Sequence, residues 1–226
     1  MGVGDGEHTA RNRETVARIV VTRPEGRERA LVERLRASGH EVLHVPLVAL
    51  EPLGDDPVEV EGYDWIVLTS VTGARELRRR MRGTPRRVAA IGRATADAFG
   101  GADLVAETAT QEGLLDALPP SPGRILFAGA AGARRLLPDT LGADVVALYR
   151  TVELTPAEWP DCDLVVLASP SAARALGGVD RPVPVVSIGP ETTRAARAAG
   201  LTVVAEAASS DLDSLVEAVE RAVAAS

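Results

Sequence analysis

The chain has 226 residues, 46% of them hydrophobic and 25% charged, with a net charge of −7. That apolar fraction excludes a disordered chain, and no window nears the roughly 18 consecutive apolar residues of a membrane-spanning helix. The acidic balance and an aromatic content of only 3% argue against a nucleic-acid partner.

Residues 1–15 read as a disordered tail. Its polar, glycine-rich start has no apolar signal core, which points to the cytoplasm. Beyond it, short β-branched runs alternate with Ala/Arg/Leu-rich helical segments. Ile19–Thr22 is followed by Glu28–Ser38, Trp65–Thr69 by Gly73–Met81, and Val88–Ile91 by Ala94–Phe99. Ile125–Phe127 is followed by Arg134–Leu141, Leu164–Ala168 by Ser171–Leu176, and Val185–Ile188 by Thr192–Ala199. A helix over about Asp211–Ala225 closes the chain. This alternation predicts an α/β fold of doubly wound parallel sheets. Two β-prone stretches, Val45–Leu50 and Val146–Val152, look like connectors that could pair as a ribbon.

An internal repeat runs through these elements. Asp64-Trp65-Ile66-Val67-Leu68-Thr69-Ser70 returns as Asp163-Leu164-Val165-Val166-Leu167-Ala168-Ser169, 99 residues later. Ile91-Gly92 returns as Ile188-Gly189 after 97 residues, and Val105-Ala106-Glu107 as Val204-Ala205-Glu206 after 99. Arg18-Ile19-Val20-Val21 resembles Arg124-Ile125-Leu126-Phe127, and Gly39-His40-Glu41-Val42 resembles Gly142-Ala143-Asp144-Val145. Two copies of one α/β unit are therefore expected.

Some chemistries are closed to this chain. All 25 basic residues are arginine, so Schiff-base lysine enzymes and the P-loop lysine are excluded. Cys162 is the single cysteine, and the histidines are only His8, His40 and His44. His40 and His44 would share one face of a strand, but with no third ligand no metal site is expected. No dinucleotide-binding glycine motif, nucleophile elbow or zinc-protease motif is present. What repeats instead is a small hydroxyl residue or glycine at the strand ends: Thr22, Thr69-Ser70, Gly92 to Thr95, Ser169 to Ser171, and Gly189 to Thr192. Beyond the carboxyl ends of parallel strands, hydroxyls and helix amides can hold anions, although such residues also serve as ordinary helix caps. Tyr149, one of two tyrosines, lies in the second connector, where an edge-packed role and a role facing a ligand are equally open.

These segments together resemble the uroporphyrinogen-III synthase family. The resemblance rests on Val21-Thr22-Arg23-Pro24, Tyr63 to Ser70, Ala89 to Ala96, Val146 to Thr151, Ser169-Pro170-Ser171 and Ser187 to Thr193, in order, over about Ile19 to Val219. It implies two flavodoxin-like lobes joined by a two-stranded β connector, one discontinuous (16–46 and 150–226) and one continuous (50–146). It also implies closure of hydroxymethylbilane to uroporphyrinogen III, with inversion of the last ring and loss of water, and no metal or organic cofactor. By position, Thr22, Arg23, Thr69, Ser70, Thr95, Ser169, Ser171, Gly189 and Thr192 would bind substrate, and Tyr149 would assist departure of the hydroxyl. The expected enzyme is a monomer, with no membrane or nucleic-acid partner, taking its substrate by hand-over from the preceding pathway enzyme. Relatives often carry an Arg-Gly pair where this chain has Ala128-Gly129-Ala130, and Glu191 brings an acidic residue into the Gly-Pro-x-Thr turn. A non-catalytic two-lobe binding or sensor module is the competing reading.

Overall fold

The computed structural model describes residues 16–180 and 183–226; the tail expected over 1–15 lies outside the described residues. The chain begins with β1 (Arg18–Val21), α1 (Arg29–Ala37), β2 (Glu41–His44), β3 (Val48–Pro52) and β4 (Val58–Glu59). It continues through β5 (Trp65–Leu68), α2 (Val71–Arg80), β6 (Met81–Arg82), β7 (Val88–Ala90), α3 (Arg93–Phe99), β8 (Leu104–Val105) and α4 (Gln111–Ala117). Next come β9 (Ile125–Ala130), α5 (Leu136–Leu141), β10 (Asp144–Glu153), β11 (Leu164–Leu167) and α6 (Pro170–Leu176). The last elements are β12 (Val185–Ser187), α7 (Pro190–Ala198), β13 (Val203–Glu206) and α8 (Leu212–Ala224). No helix among the described residues is long and apolar enough to cross a membrane.

The chain divides into two units: one takes the residues up to Ala49 together with Glu153–Ser226, the other Leu50–Val152. The first holds a sheet in the order β2-β1-β11-β12-β13, every adjacent pair parallel. The second holds β10-β9-β5-β7-β8, also parallel, with β3 added outside β10. The sequence repeat pairs β1 with β9, β2 with β10, β11 with β5, β12 with β7 and β13 with β8. Put in that correspondence, the two sheets have one strand order, although their chain orders are circularly permuted. Around β3 and β10, the Leu53 N–H donates to the Leu148 carbonyl (2.8 Å) and the Leu154 N–H to the Leu47 carbonyl (2.9 Å), the falling register of an antiparallel pair.

Each sheet is buried on both faces, which is why its central strands are apolar throughout rather than alternating. In the first unit Ile19, Val21 and Val166 pack under α1 and α8 against Leu31, Leu35, Leu215 and Val219. Their neighbours Val20, Val165 and Leu167 point to the opposite face, against Ala172 and Leu176 of α6 and Ala196 of α7. In the second unit Ile66 and Leu68 meet Ala74 and Leu77 of α2. On its other face Trp65, Val67 and Phe127 meet Leu114 of α4 and Leu137 of α5. Each fully buried Val, Leu, Ile or Phe among these stabilises its unit by roughly 1.5–3 kcal/mol. The repeated glycines Gly39 and Gly142, after α1 and α5, have φ of 91° and 59°, a left-handed turn that a side chain would strain.

Several expected boundaries move. α2 begins at Val71 rather than Gly73, because Ser70 accepts the Gly73 N–H at 3.0 Å and caps the helix. β9 runs on to Ala130, three residues past the expected end, because Ala128, Gly129 and Ala130 pair with β10 despite their weak strand propensity.

A second repeated device ties the strand starts. Asp163 accepts the Arg18 N–H at 2.7 Å, and its counterpart Asp64 accepts the Arg124 N–H at 3.0 Å, Arg124 being the counterpart of Arg18. The Arg124 N–H, and then the Arg86 guanidinium, hold the Asp64 carboxyl below the usual carboxylate range. A depressed carboxyl lends stability above its unfolded pKa and loses it as pH falls through the folded one. Asp64→Asn should therefore flatten the acid limb of the stability curve below about pH 4, measured by denaturant midpoints against pH. Parallel limbs for variant and parent would contradict the role.

Candidate active site

Strand ends place the expected residues. In the first unit β12, β11 and β1 are adjacent and parallel, so Thr22, Ser169 and Gly189 follow strands that finish along one sheet edge. In the second, β7, β5 and β9 do the same for Thr95 and for Thr69 with Ser70, and Tyr149 pairs with Ala130 at the end of β9.

Within the second unit the structure joins two of these residues. The Tyr149 hydroxyl donates to Ser70 Oγ at 2.9 Å, and that oxygen also accepts the Gly73 N–H at the start of α2. Tyr149 is 8% exposed and belongs to the core cluster around Leu68 and Leu148, so it is not packed at a ribbon edge. The pair owns two hydroxyl hydrogens and spends one between them, leaving one to donate to a ligand. Gly73 permits this closeness, since a Cβ there would lie 3.0 Å from Ser70 Oγ and 3.3 Å from the Ala128 carbonyl. Thr69, half-buried, lies against β9 near Gly129. Thr95 is buried in the first turn of α3, and Arg93 beside it is exposed.

In the first unit the hydroxyls are used differently. Thr22 is fully buried and its hydroxyl donates to the Val166 carbonyl at 2.8 Å, tying β1 to β11 and leaving only its oxygen lone pairs for other contacts. Ser169 caps α6 by accepting the Ala172 N–H at 3.2 Å. Ser171 accepts from Arg174, which is also paired with Glu153 at 2.8 Å. Gly189 precedes α7, where a Cβ would lie 2.8 Å from Ser210 Oγ, and Thr192 is buried in the first turn. Glu191 is exposed and paired with Arg194 at 2.8 Å, which offsets its charge. Burial, and then the like charge of Arg27, lower the Arg23 guanidinium pKa. A part-buried cation beside a second one favours an anionic ligand.

Sequence reasoning missed a buried relay behind the Gly189 turn. Thr193 donates to Glu206, so Ser187, 2.5 Å from Thr193, must donate to Thr193 in turn. This chain ties β12, β13 and the start of α7 together and holds the turn. Thr193 stands beside the expected Thr192, but only the contact with β13 distinguishes the two. His40 and His44 do not act as a pair. His40 Nδ1 accepts the Ala17 N–H and its Nε2 lies 3.2 Å from Glu220, whereas His44 Nε2 meets the Arg23 carbonyl.

Comparison with known proteins gives one consistent answer. The family described as Uroporphyrinogen-III synthase HemD matches residues 29–217. A uroporphyrinogen-III synthase of Synechococcus elongatus is 26% identical over 172 residues, 66% of this chain and 65% of that protein. A relative in Methanocaldococcus jannaschii is 26% identical over 150 residues, 60% of this chain and 62% of that protein. The alignments thus span slightly less than two thirds of these curated relatives. Among solved structures, the uroporphyrinogen-III synthetase of Helicobacter pylori aligns with a TM-score of 0.62 at 15% identity, over 88% of this chain and 96% of that one. A mutant uroporphyrinogen III synthase of Thermus thermophilus aligns at 0.55 and 17%, over 93% and 100%. At these identities the structures speak for a shared α/β fold of mostly parallel sheets.

Proposed function

Because this chain belongs to the uroporphyrinogen-III synthase family, we propose that it closes hydroxymethylbilane to uroporphyrinogen III, as a monomeric, cytoplasmic enzyme that takes the bilane from the enzyme making it. The two units act as flavodoxin-like lobes linked through β3 and β10. The observation that carries this reading is the family match over most of the chain, joined by a Tyr149–Ser70 pair with one hydroxyl hydrogen to spare.

The bilane carries its own reactivity. Loss of its hydroxyl as water leaves an azafulvene cation, and attack by the substituted carbon of the last ring gives a spiro intermediate. Breaking that carbon's bond to the neighbouring ring regenerates an azafulvene cation there, which recloses on the last ring's unsubstituted α carbon with loss of a proton, leaving that ring inverted. Unassisted closure gives the uninverted isomer, so the protein's task is to fold a flexible chain into the productive shape. Orientation of this kind supplies up to roughly 7–11 kcal/mol in well-aligned cases. Eight substrate carboxylates are met by distributed donors at the strand ends and by Arg23, with no need for a net positive protein. The Tyr149–Ser70 pair donates its remaining hydroxyl hydrogen to the departing hydroxyl.

Distributed binding has a measurable consequence. Thr95→Ala and Thr192→Ala, counterparts in the repeat, should each lower kcat/KM roughly fivefold, about 1 kcal/mol per lost hydrogen bond, and together roughly thirtyfold. Steady-state kinetics on the bilane test this. Abolition of turnover by one change, in a folded protein, contradicts it.

A further inference from the structure

Beside the candidate active site, in the first unit, three ligand groups converge. Glu25 and Glu28 come from the turn between β1 and α1, and His44 from the end of β2; one ligand atom of each lies within 4.8 Å of the others. His44 Nε2 is 2.8 Å from the Arg23 carbonyl. A carbonyl can only accept, so Nε2 carries the hydrogen and a neutral His44 presents a lone pair at Nδ1. That lone pair faces Glu25 Oε1 across 4.0 Å, too far for a hydrogen bond. Glu28 Oε2 is buried without a hydrogen-bond partner among the described residues. The backbone N–H groups of Glu28, Arg27 and Gly26 hold the Glu28 carboxyl below the usual carboxylate range, so it stands ready as an ionised ligand, its Oε2 without a hydrogen bond, and a carbonyl fixes the imidazole as the outer shell of a metal-bound histidine does.

We propose that Glu25, Glu28 and His44 bind a divalent transition-metal ion of the zinc type. One imidazole nitrogen and two carboxylates suit Zn²⁺, Co²⁺ or Ni²⁺ better than Mg²⁺, which prefers an all-oxygen, partly hydrated shell. Two zinc bonds of about 2.0–2.2 Å span less than the present spread, so a ligand must close in. The Glu25 side chain, 81% exposed, has the freedom to do so. Arg27 and the N-terminus of α1 oppose a cation here, which makes the site moderate in affinity. When occupied, it staples the turn carrying Arg23 to the end of β2. The site is distinct from the bilane chemistry, and its test uses no bilane.

The test is a Co²⁺ titration of the full chain, read by visible d–d absorption, with Zn²⁺ as competitor. The expected result is one equivalent per chain, displaced by Zn²⁺, with affinity reduced tenfold or more in both Glu25→Gln and His44→Gln. Glu25 is exposed, so its variant keeps the fold whatever happens to the His44 variant. Absence of saturable binding, or an affinity unchanged in either variant, overturns the proposal.

Discussion

Tyr149→Phe should slow turnover of hydroxymethylbilane by on the order of 10²-fold while uroporphyrinogen III remains the product. Departure of the bilane hydroxyl needs a hydrogen bond or a proton, and the Tyr149–Ser70 pair at the second unit's strand ends keeps a hydroxyl hydrogen not spent between its two members. Removing the phenol oxygen leaves Ser70 as a helix cap with one hydroxyl, so assistance weakens without collapse of the site. The substrate ionises readily by itself, which places the effect at the low end of general-acid contributions. Ring inversion is set by the folded shape of the bilane, and Phe preserves the packing of a residue that is 8% exposed. Single-turnover kinetics with isomer analysis check both halves. Full activity would reduce Tyr149 to a core residue, and loss of isomer III at unchanged consumption would make it a shaping residue.

The second large effect is on stability. Phe127→Ala should destabilise the second unit by about 3–5 kcal/mol. Phe127 is 2% exposed, inside the cluster formed by Trp65, Val67, Leu114 and Leu137. Its ring edge already lies 3.2 Å from where a Cβ of Gly129 would stand, so it fills the space that the glycine leaves open. Backbone on that side is locked in the β9–β10 ladder and cannot close the cavity. Denaturant unfolding should be followed by tryptophan emission in a Trp159→Phe background, where Trp65 alone reports on this unit. A loss below about 1 kcal/mol, the range of a volume-conserving swap, would mean that the cluster repacks.

The strand–helix alternation was legible because buried parallel strands are written as short apolar runs, and the repeat revealed equivalences such as Asp64 with Asp163 that the structure carries into matching hydrogen bonds. Local sequence could not reveal β9 beyond Phe127, since Ala128-Gly129-Ala130 has turn-like composition and is extended only because β10 lies beside it. α4 escaped for a related reason: Gln111–Ala117 is short and contains Gly113, and its order depends on the Thr110 cap and burial of Leu114. The candidate site was legible as residue types at strand ends but not as partnerships. Tyr149 and Ser70 are 79 residues apart, and that Thr22 spends its hydroxyl on Val166 depends on strand pairing. His44 was paired on paper with His40 by spacing, whereas the turn after β1 brings it Glu25 and Glu28.

The central claim is that this chain directs the closure of hydroxymethylbilane. The most direct measurement is to incubate the purified protein with freshly generated hydroxymethylbilane, oxidise the product and separate the porphyrin isomers. Uroporphyrin III in excess over isomer I, rising with protein concentration, is the predicted result. Isomer I at the rate and proportion of the protein-free reaction would contradict it.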